Sequence, residues 1–81
     1  LKNPVHFDPH VFEIEMTEGY IDGWGDDRPQ LPESLANRSA SYRHGWLNGQ
    51  DDRLATPRAS AAQIELQASA AIAQDISKAR E

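Results

Sequence analysis

The chain has 81 residues, no cysteine, 13 acidic against 8 basic side chains for a net charge of −5, and a mean hydropathy of −0.71. The missing cysteines exclude a disulfide framework and a thiolate metal site. No apolar run approaches the roughly 20 residues of a membrane span and the first residues do not read as a signal peptide, so a soluble, cytoplasmic protein with no membrane partner is expected.

With 38% apolar residues, a chain of this size makes one small domain that buries about 60% of its unfolded surface. Its stability must lean on close helix packing or on a partner. The charge is unevenly placed. Residues 1–27 set Lys2 against seven carboxylates, whereas residues 28–58 hold five arginines against Glu33, Asp51 and Asp52. An acidic front before an arginine-bearing middle fits two helices that attract each other, or two faces with different partners.

Residues 1–8 carry Pro4 and no periodicity, which reads as an extended arm. Asp8-Pro9 is a helix start, a capping carboxylate followed by proline in the first turn. From there Phe12, Met16, Tyr20 and Trp24 recur every four residues and give a first helix its stripe. A strand over 11–16 competes, because Phe12, Ile14 and Met16 also alternate with Glu13 and Glu15. Gly25 through Pro29 ends the helix, and Pro32 stiffens the connection.

A second helix starts between Glu33 and Ser39, with Ser34, Asn37 and Ser39 as candidate caps. Leu35, Tyr42, Trp46 and Leu47 form its apolar side, and it runs to about Asp52. Within it a phrase from the first helix returns. Gly19-Tyr20-Ile21-Asp22-Gly23, followed by Asp26-Asp27, is matched class for class by Gly45-Trp46-Leu47-Asn48-Gly49, followed by Asp51-Asp52. This is an internal repeat.

Two glycines four apart share one helix face. Each costs about 1 kcal/mol of helix propensity relative to alanine, so a pair calls for close approach of another backbone. The expected arrangement is an antiparallel helical hairpin spanning 9–53, crossing at Gly19, Tyr20, Gly23, Gly45, Trp46 and Gly49, with the two aromatics over the partner's glycines. A simpler alternative is that Gly19, Gly25 and Gly49 cap helix ends.

Gly19, Tyr20 and Gly23, a proline turn at Pro32, then Arg38-Ser39, Tyr42 and Gly45-Trp46 resemble the ribosome modulation factor family over roughly residues 15–53. Members are small bacterial two-helix proteins, and the founding one binds the ribosome and favours inactive ribosome dimers. The resemblance implies a regulatory protein that docks on a ribosome or other nucleoprotein, with Arg38, Arg43 and Arg53 as polyanion contacts. This chain is acidic where the founding member is basic, and it continues about thirty residues past the motif.

That continuation reads as an Ala-rich helix over 57–80, with Thr56 as cap and Pro57 in its first turn. Ile64, Ala68, Ala71, Ile72 and Ile76 make its apolar stripe. The helix either closes an all-α fold of three helices or keeps part of that face for another chain, a second copy included. Glu15, Glu18 and Asp22 on the first helix, with Ile64, Ile72 and Ile76 on the third, are the candidate protein-docking residues of an acidic adaptor or inhibitor, even a nucleic-acid mimic, facing a basic protein surface.

Little else points to chemistry. His6, Asp8 and His10 are spaced as metal ligands, but Pro9 sets the first two before the helix and no further ligand joins them. His44 reads as facing solvent or Asp51. No nucleophile elbow, paired-carboxylate site or phosphate-binding glycine loop is present. The expectation is a protein without enzymatic activity, metal or cofactor.

Overall fold

The computed structural model describes residues 8, 10–55 and 60–80. The fold is all-α with three helices: α1 (His10–Trp24), α2 (Ala40–Leu54) and α3 (Ala61–Ala79), plus a 3-10 turn at Glu33–Leu35 between the first two. The stretch 11–16 is helical, which settles the choice between strand and helix. The arm over 1–7 and the proposed Thr56-Pro57 start of the third helix lie outside the described residues.

Each helix start has a polar cap that satisfies backbone donors left free by the first turn. Asp8 Oδ1 accepts from the His10 N–H at 2.9 Å. Ser39 Oγ accepts from the Tyr42 N–H at 3.1 Å, so of the three candidate caps Ser39 starts α2. Leu35 therefore belongs to the 3-10 turn and not to α2, a correction to the expected apolar side. Ser60 Oγ accepts from the Gln63 N–H and starts α3. At its other end α2 stops on Ala55, held in the left-handed region at φ 53°.

α1 and α2 pack closely together, and α3 follows at the C-terminal side, meeting α2 more than α1. The expected antiparallel direction of the first two helices is wrong. Glu15 and Glu18, early in α1, meet Ser39 and Arg38 at the start of α2. Trp24 at the end of α1 meets Arg53 near the end of α2. The two helices therefore run side by side in the same direction.

Chain length allows this. A helix of this size is about 22 Å long, and the fifteen residues between Trp24 and Ala40 can reach about 50 Å. The connection carries the chain back along the whole pair. Antiparallel neighbours are the rule for connections of about 2–5 residues, not for one of this length. The short link after Leu54 does give an antiparallel neighbour: Asp75, late in α3, meets Ala40 and Ser41 at the start of α2.

The buried centre lies on α2. Among the described residues, Trp46 and Tyr42 are the large apolar side chains taken fully out of solvent, and Ser41 is buried too. Gly19, Gly23, Gly45 and Gly49 are buried too. Two members of the expected stripes face outward instead, Trp24 and Leu47, each 47% exposed. Trp24 stacks on Tyr20 with ring centroids 6.2 Å apart.

Candidate functional site

The two copies of the repeat meet each other in matched pairs. A Cβ built on Gly19 would stand 2.1 Å from the carbonyl oxygen of Tyr42, and one on Gly45 would stand 2.0 Å from that of Met16. One turn on, a Cβ on Gly23 would stand 2.0 Å from the Trp46 oxygen, and one on Gly49 would stand 2.1 Å from the Tyr20 oxygen. Gly25, outside the repeat, would meet nothing closer than 3.7 Å.

Glycine by glycine, each contact has a counterpart with the helices exchanged. The relation is a local two-fold axis running along the pair, and parallel helices with the same phrase on each are what such an axis requires. The backbones of Tyr20 and Trp46 lie against the partner helix's glycines.

Polar contacts frame the crossing on both sides. Tyr20 donates its hydroxyl to Asp52 at 2.5 Å, and Tyr42 donates to Asp22 at 2.6 Å. Burial, and then the Asp22 carboxylate, push the Tyr42 hydroxyl up to about 12, since its anion would form out of water beside a like charge. At the start of the pair Ser39 donates to Glu15. Arg38 pairs with Glu18 at 2.5 Å and lies over the Tyr42 ring at 3.8 Å.

At the far end Arg53 donates to the carbonyls of Trp24 and Asp26 and pairs with Asp27 at 2.7 Å. A guanidinium there suits the negative end of the α1 dipole. Arg28 closes on Asp26 at 2.7 Å, and this hydrogen-bonded arginine holds the Asp26 carboxyl down at about 2.

The candidate polyanion contacts are thus placed as follows. Arg38 and Arg43 stand together at the start of α2, and Arg53 sits at the opposite end of the pair. Arg43 Nε donates to the carbonyls of Arg38 and Ser39. All three guanidinium groups have partners within the chain. The candidate docking carboxylates Glu15, Glu18 and Asp22 are each tied to a group at the start of α2.

On α3, Ile64, Ile72 and Ile76 are half-buried. An apolar groove of about 510 Å³ runs between the first half of α3 and the helix pair, lined among others by Met16, Tyr20, Gly45, Ile64 and Ala68. His44, half-buried, lies 2.8 Å from Asn48, one turn on. His10 Nδ1 is 2.7 Å from Glu13. Among the described residues no three His, Asp or Glu side chains converge, and none of the described helices is long and apolar enough to cross a membrane.

Two features go beyond what the sequence pattern suggests. Asp75 is the buried residue of α3: its two carboxylate oxygens accept from the Ala40 and Ser41 N–H groups at 2.9 and 2.7 Å. The sign of it is a carboxylate on the apolar stripe, three residues after Ile72 and seven after Ala68. The second is an apolar row on the outside of α1, Val11, Ile14 and Ile21, exposed by 40%, 58% and 64%. Its helical spacing is present in the sequence but out of phase with the aromatic stripe.

Comparison with known proteins finds no matching family model, no matching curated protein and no matching solved structure.

Proposed function

We propose that the chain is a small, non-enzymatic regulatory binding protein, resembling ribosome modulation factor, that docks on a ribosome or other nucleoprotein. One observation supports this above the others. Gly19, Gly23, Ser39, Tyr42, Gly45 and Trp46, which carry the resemblance, are residues of the crossing and its cap. Those residues are therefore the ones that bring the two helices of this chain together.

Arg38 and Arg43 are the contacts to a phosphate backbone in this reading. The Arg38–Glu18 pair is exposed on both sides, and such a pair contributes only about 0–1 kcal/mol. A phosphate can therefore replace Glu18 at little cost. Co-sedimentation with ribosomes and titration with bulk RNA, at low and at physiological salt, test the reading. Binding that Arg38→Glu with Arg43→Glu removes, in a protein that still folds, supports it. Removing one arginine–phosphate pair should lower the slope of log affinity against log salt by about 0.7–0.9. No binding at low salt overturns it.

A second reading rests on a different observation. Arg28, Arg38 and Arg53 already hold carboxylates, and α1 carries four carboxylates with no lysine or arginine. That favours an acidic adaptor or inhibitor docking on a basic protein surface, with the half-buried isoleucines of α3 as a second contact or a seat for another copy. Pull-down from a lysate with and without nuclease separates the two. Ribosomal material that disappears on nuclease treatment supports the first, and a nuclease-resistant protein partner supports the second.

A further inference from the structure

α1 is apolar on two sides. One side, centred on Gly19 and Gly23, is closed by α2. On the other, Val11, Ile14 and Ile21 follow one another at spacings of three and seven, as neighbours on a helix face do. Nothing among the described residues closes this side, and all three side chains are exposed. Ile14 and Ile21 line a shallow groove of about 490 Å³ with His10, Glu13, Thr17 and Glu18.

We propose that this groove on the outer side of α1 is the docking site for an amphipathic helix of another protein, one whose apolar face is flanked by lysine or arginine. The proposal rests on the protein-docking reading and names its surface and its partner's chemistry.

Charge selects the partner. Glu13 and Glu18 stand on the groove itself, and Glu15 and Asp22 follow on the same helix, which has no lysine or arginine of its own. Arg38 offsets Glu18, and Ser39 and Tyr42 hydrogen-bond Glu15 and Asp22 without adding charge. A nucleic acid or an anionic lipid surface meets repulsion here, whereas basic side chains beside an apolar stripe find carboxylates. Shape selects the helix. Val11 to Ile21 covers about 15 Å of helix, nearly three turns, and helix-in-groove recognition reads anchors spaced by three, four and seven residues.

The test uses a labelled amphipathic peptide of about 18 residues, with leucines on one face and lysines on the other. A peptide with glutamates in place of the lysines is its control. Anisotropy titration should show that the parent chain binds the lysine peptide, less tightly as salt rises, and does not bind the glutamate peptide. Ile14→Asp with Ile21→Asp should weaken binding by about tenfold or more, one factor of ten being about 1.4 kcal/mol. Leu66→Asp, at a more exposed leucine on α3, should leave it unchanged.

The aspartates add negative charge, so a charge attraction without a groove would tighten instead. Ile14→Ser with Ile21→Ser repeats the test should the aspartates disturb the helix. Unchanged or tighter binding by the isoleucine variants overturns the proposal, as does a parent that binds neither peptide. Self-association of the parent that the same substitutions abolish also overturns it, since the occupant is then a second copy. A nuclease-resistant partner that the Ile14 and Ile21 variants still capture leaves protein docking standing and moves it off this face.

Discussion

Alanine in place of the crossing glycines puts the helix pair to its sharpest test. A methyl carbon and a carbonyl oxygen come no closer than about 3.3 Å even in favourable contacts. A methyl on Gly23 would start 2.0 Å from the Trp46 oxygen, so the two helices must part by roughly 1.3 Å or bend. In a free helix the same change gains about 1 kcal/mol. Overpacking a tight contact costs about 1–3 kcal/mol, and more where backbone, not a flexible side chain, must yield. Set against the helix gain, a net loss of about 1–2 kcal/mol is expected at each of Gly19, Gly23, Gly45 and Gly49. In a domain of this size each kcal/mol moves the Tm by about 4–8 °C.

Gly25→Ala is the control. Its methyl meets nothing within 3.7 Å, so that variant should melt with the parent or slightly above it. Gly19→Ala with Gly45→Ala should cost less than the sum of the singles, because helices already parted by one methyl accept the second. Thermal and urea unfolding by circular dichroism reads all of these. Four single variants that melt with the parent, or a Gly25 variant that falls as far as they do, would refute the reasoning.

Asp75→Ala leaves the Ala40 and Ser41 N–H groups without their carboxylate; a loss of about 1–3 kcal/mol is expected, with faster amide exchange across α3, and unchanged exchange there would show that the carboxylate does not anchor the helix. The Tyr42 hydroxyl should ionise at about 12 in an ultraviolet titration, and Asp22→Asn should lower that midpoint. Because its folded value lies above the ordinary tyrosine value of about 10, this stability is complete below that pH and is lost as pH rises from about 10 to about 12. A Tyr42 midpoint that Asp22→Asn leaves in place would count against the hydrogen bond.

The elements of the pair are legible because glycine spacing, aromatic spacing and polar caps are local signals. Asp8 can be read as a cap from its neighbours alone, and Ser39 as one of three candidates. Direction is not legible from the same signals. A seam of glycines four apart can seat a partner running either way, and the repeat reads alike in both. What decides is the connection: residues 25–39 are too many for a tight helix–helix turn, and that length is a clue in plain view. The strand alternative for 11–16 fails for a related reason. Ile14, which gives the alternation, faces outward at 58% exposure, so the alternation joins two different sides of one helix.

The candidate site is harder to read because its charges are neutralised over distance in sequence. Arg38 and Glu18 are twenty residues apart, and Arg53 and Asp27 twenty-six. Composition shows arginines in the middle segment. Only the parallel register shows that Arg38 and Arg53 each stand beside a carboxylate from α1 or its end. Asp75 likewise looks like a flaw in an apolar stripe until the start of α2 is placed opposite it.

The same register gives one substitution on which the two functional readings disagree in sign. Glu18 holds Arg38 at 2.5 Å and also stands on the outer groove of α1. If Arg38 contacts phosphate, Glu18 is its competitor, and Glu18→Gln frees the guanidinium while removing one repulsive charge. An exposed pair of this kind is worth up to about 1 kcal/mol, so ribosome or RNA affinity should rise by a few-fold, about fivefold at most. If the acidic side of α1 is instead the docking face, Glu18 belongs to the contact, and the same variant should bind a basic protein partner a few-fold more weakly while gaining nothing on RNA. The side chain is half exposed, so the fold should survive the change. Parallel titrations with ribosomes and with the captured partner read both arms, and an affinity unchanged in each would place Glu18 outside either interface.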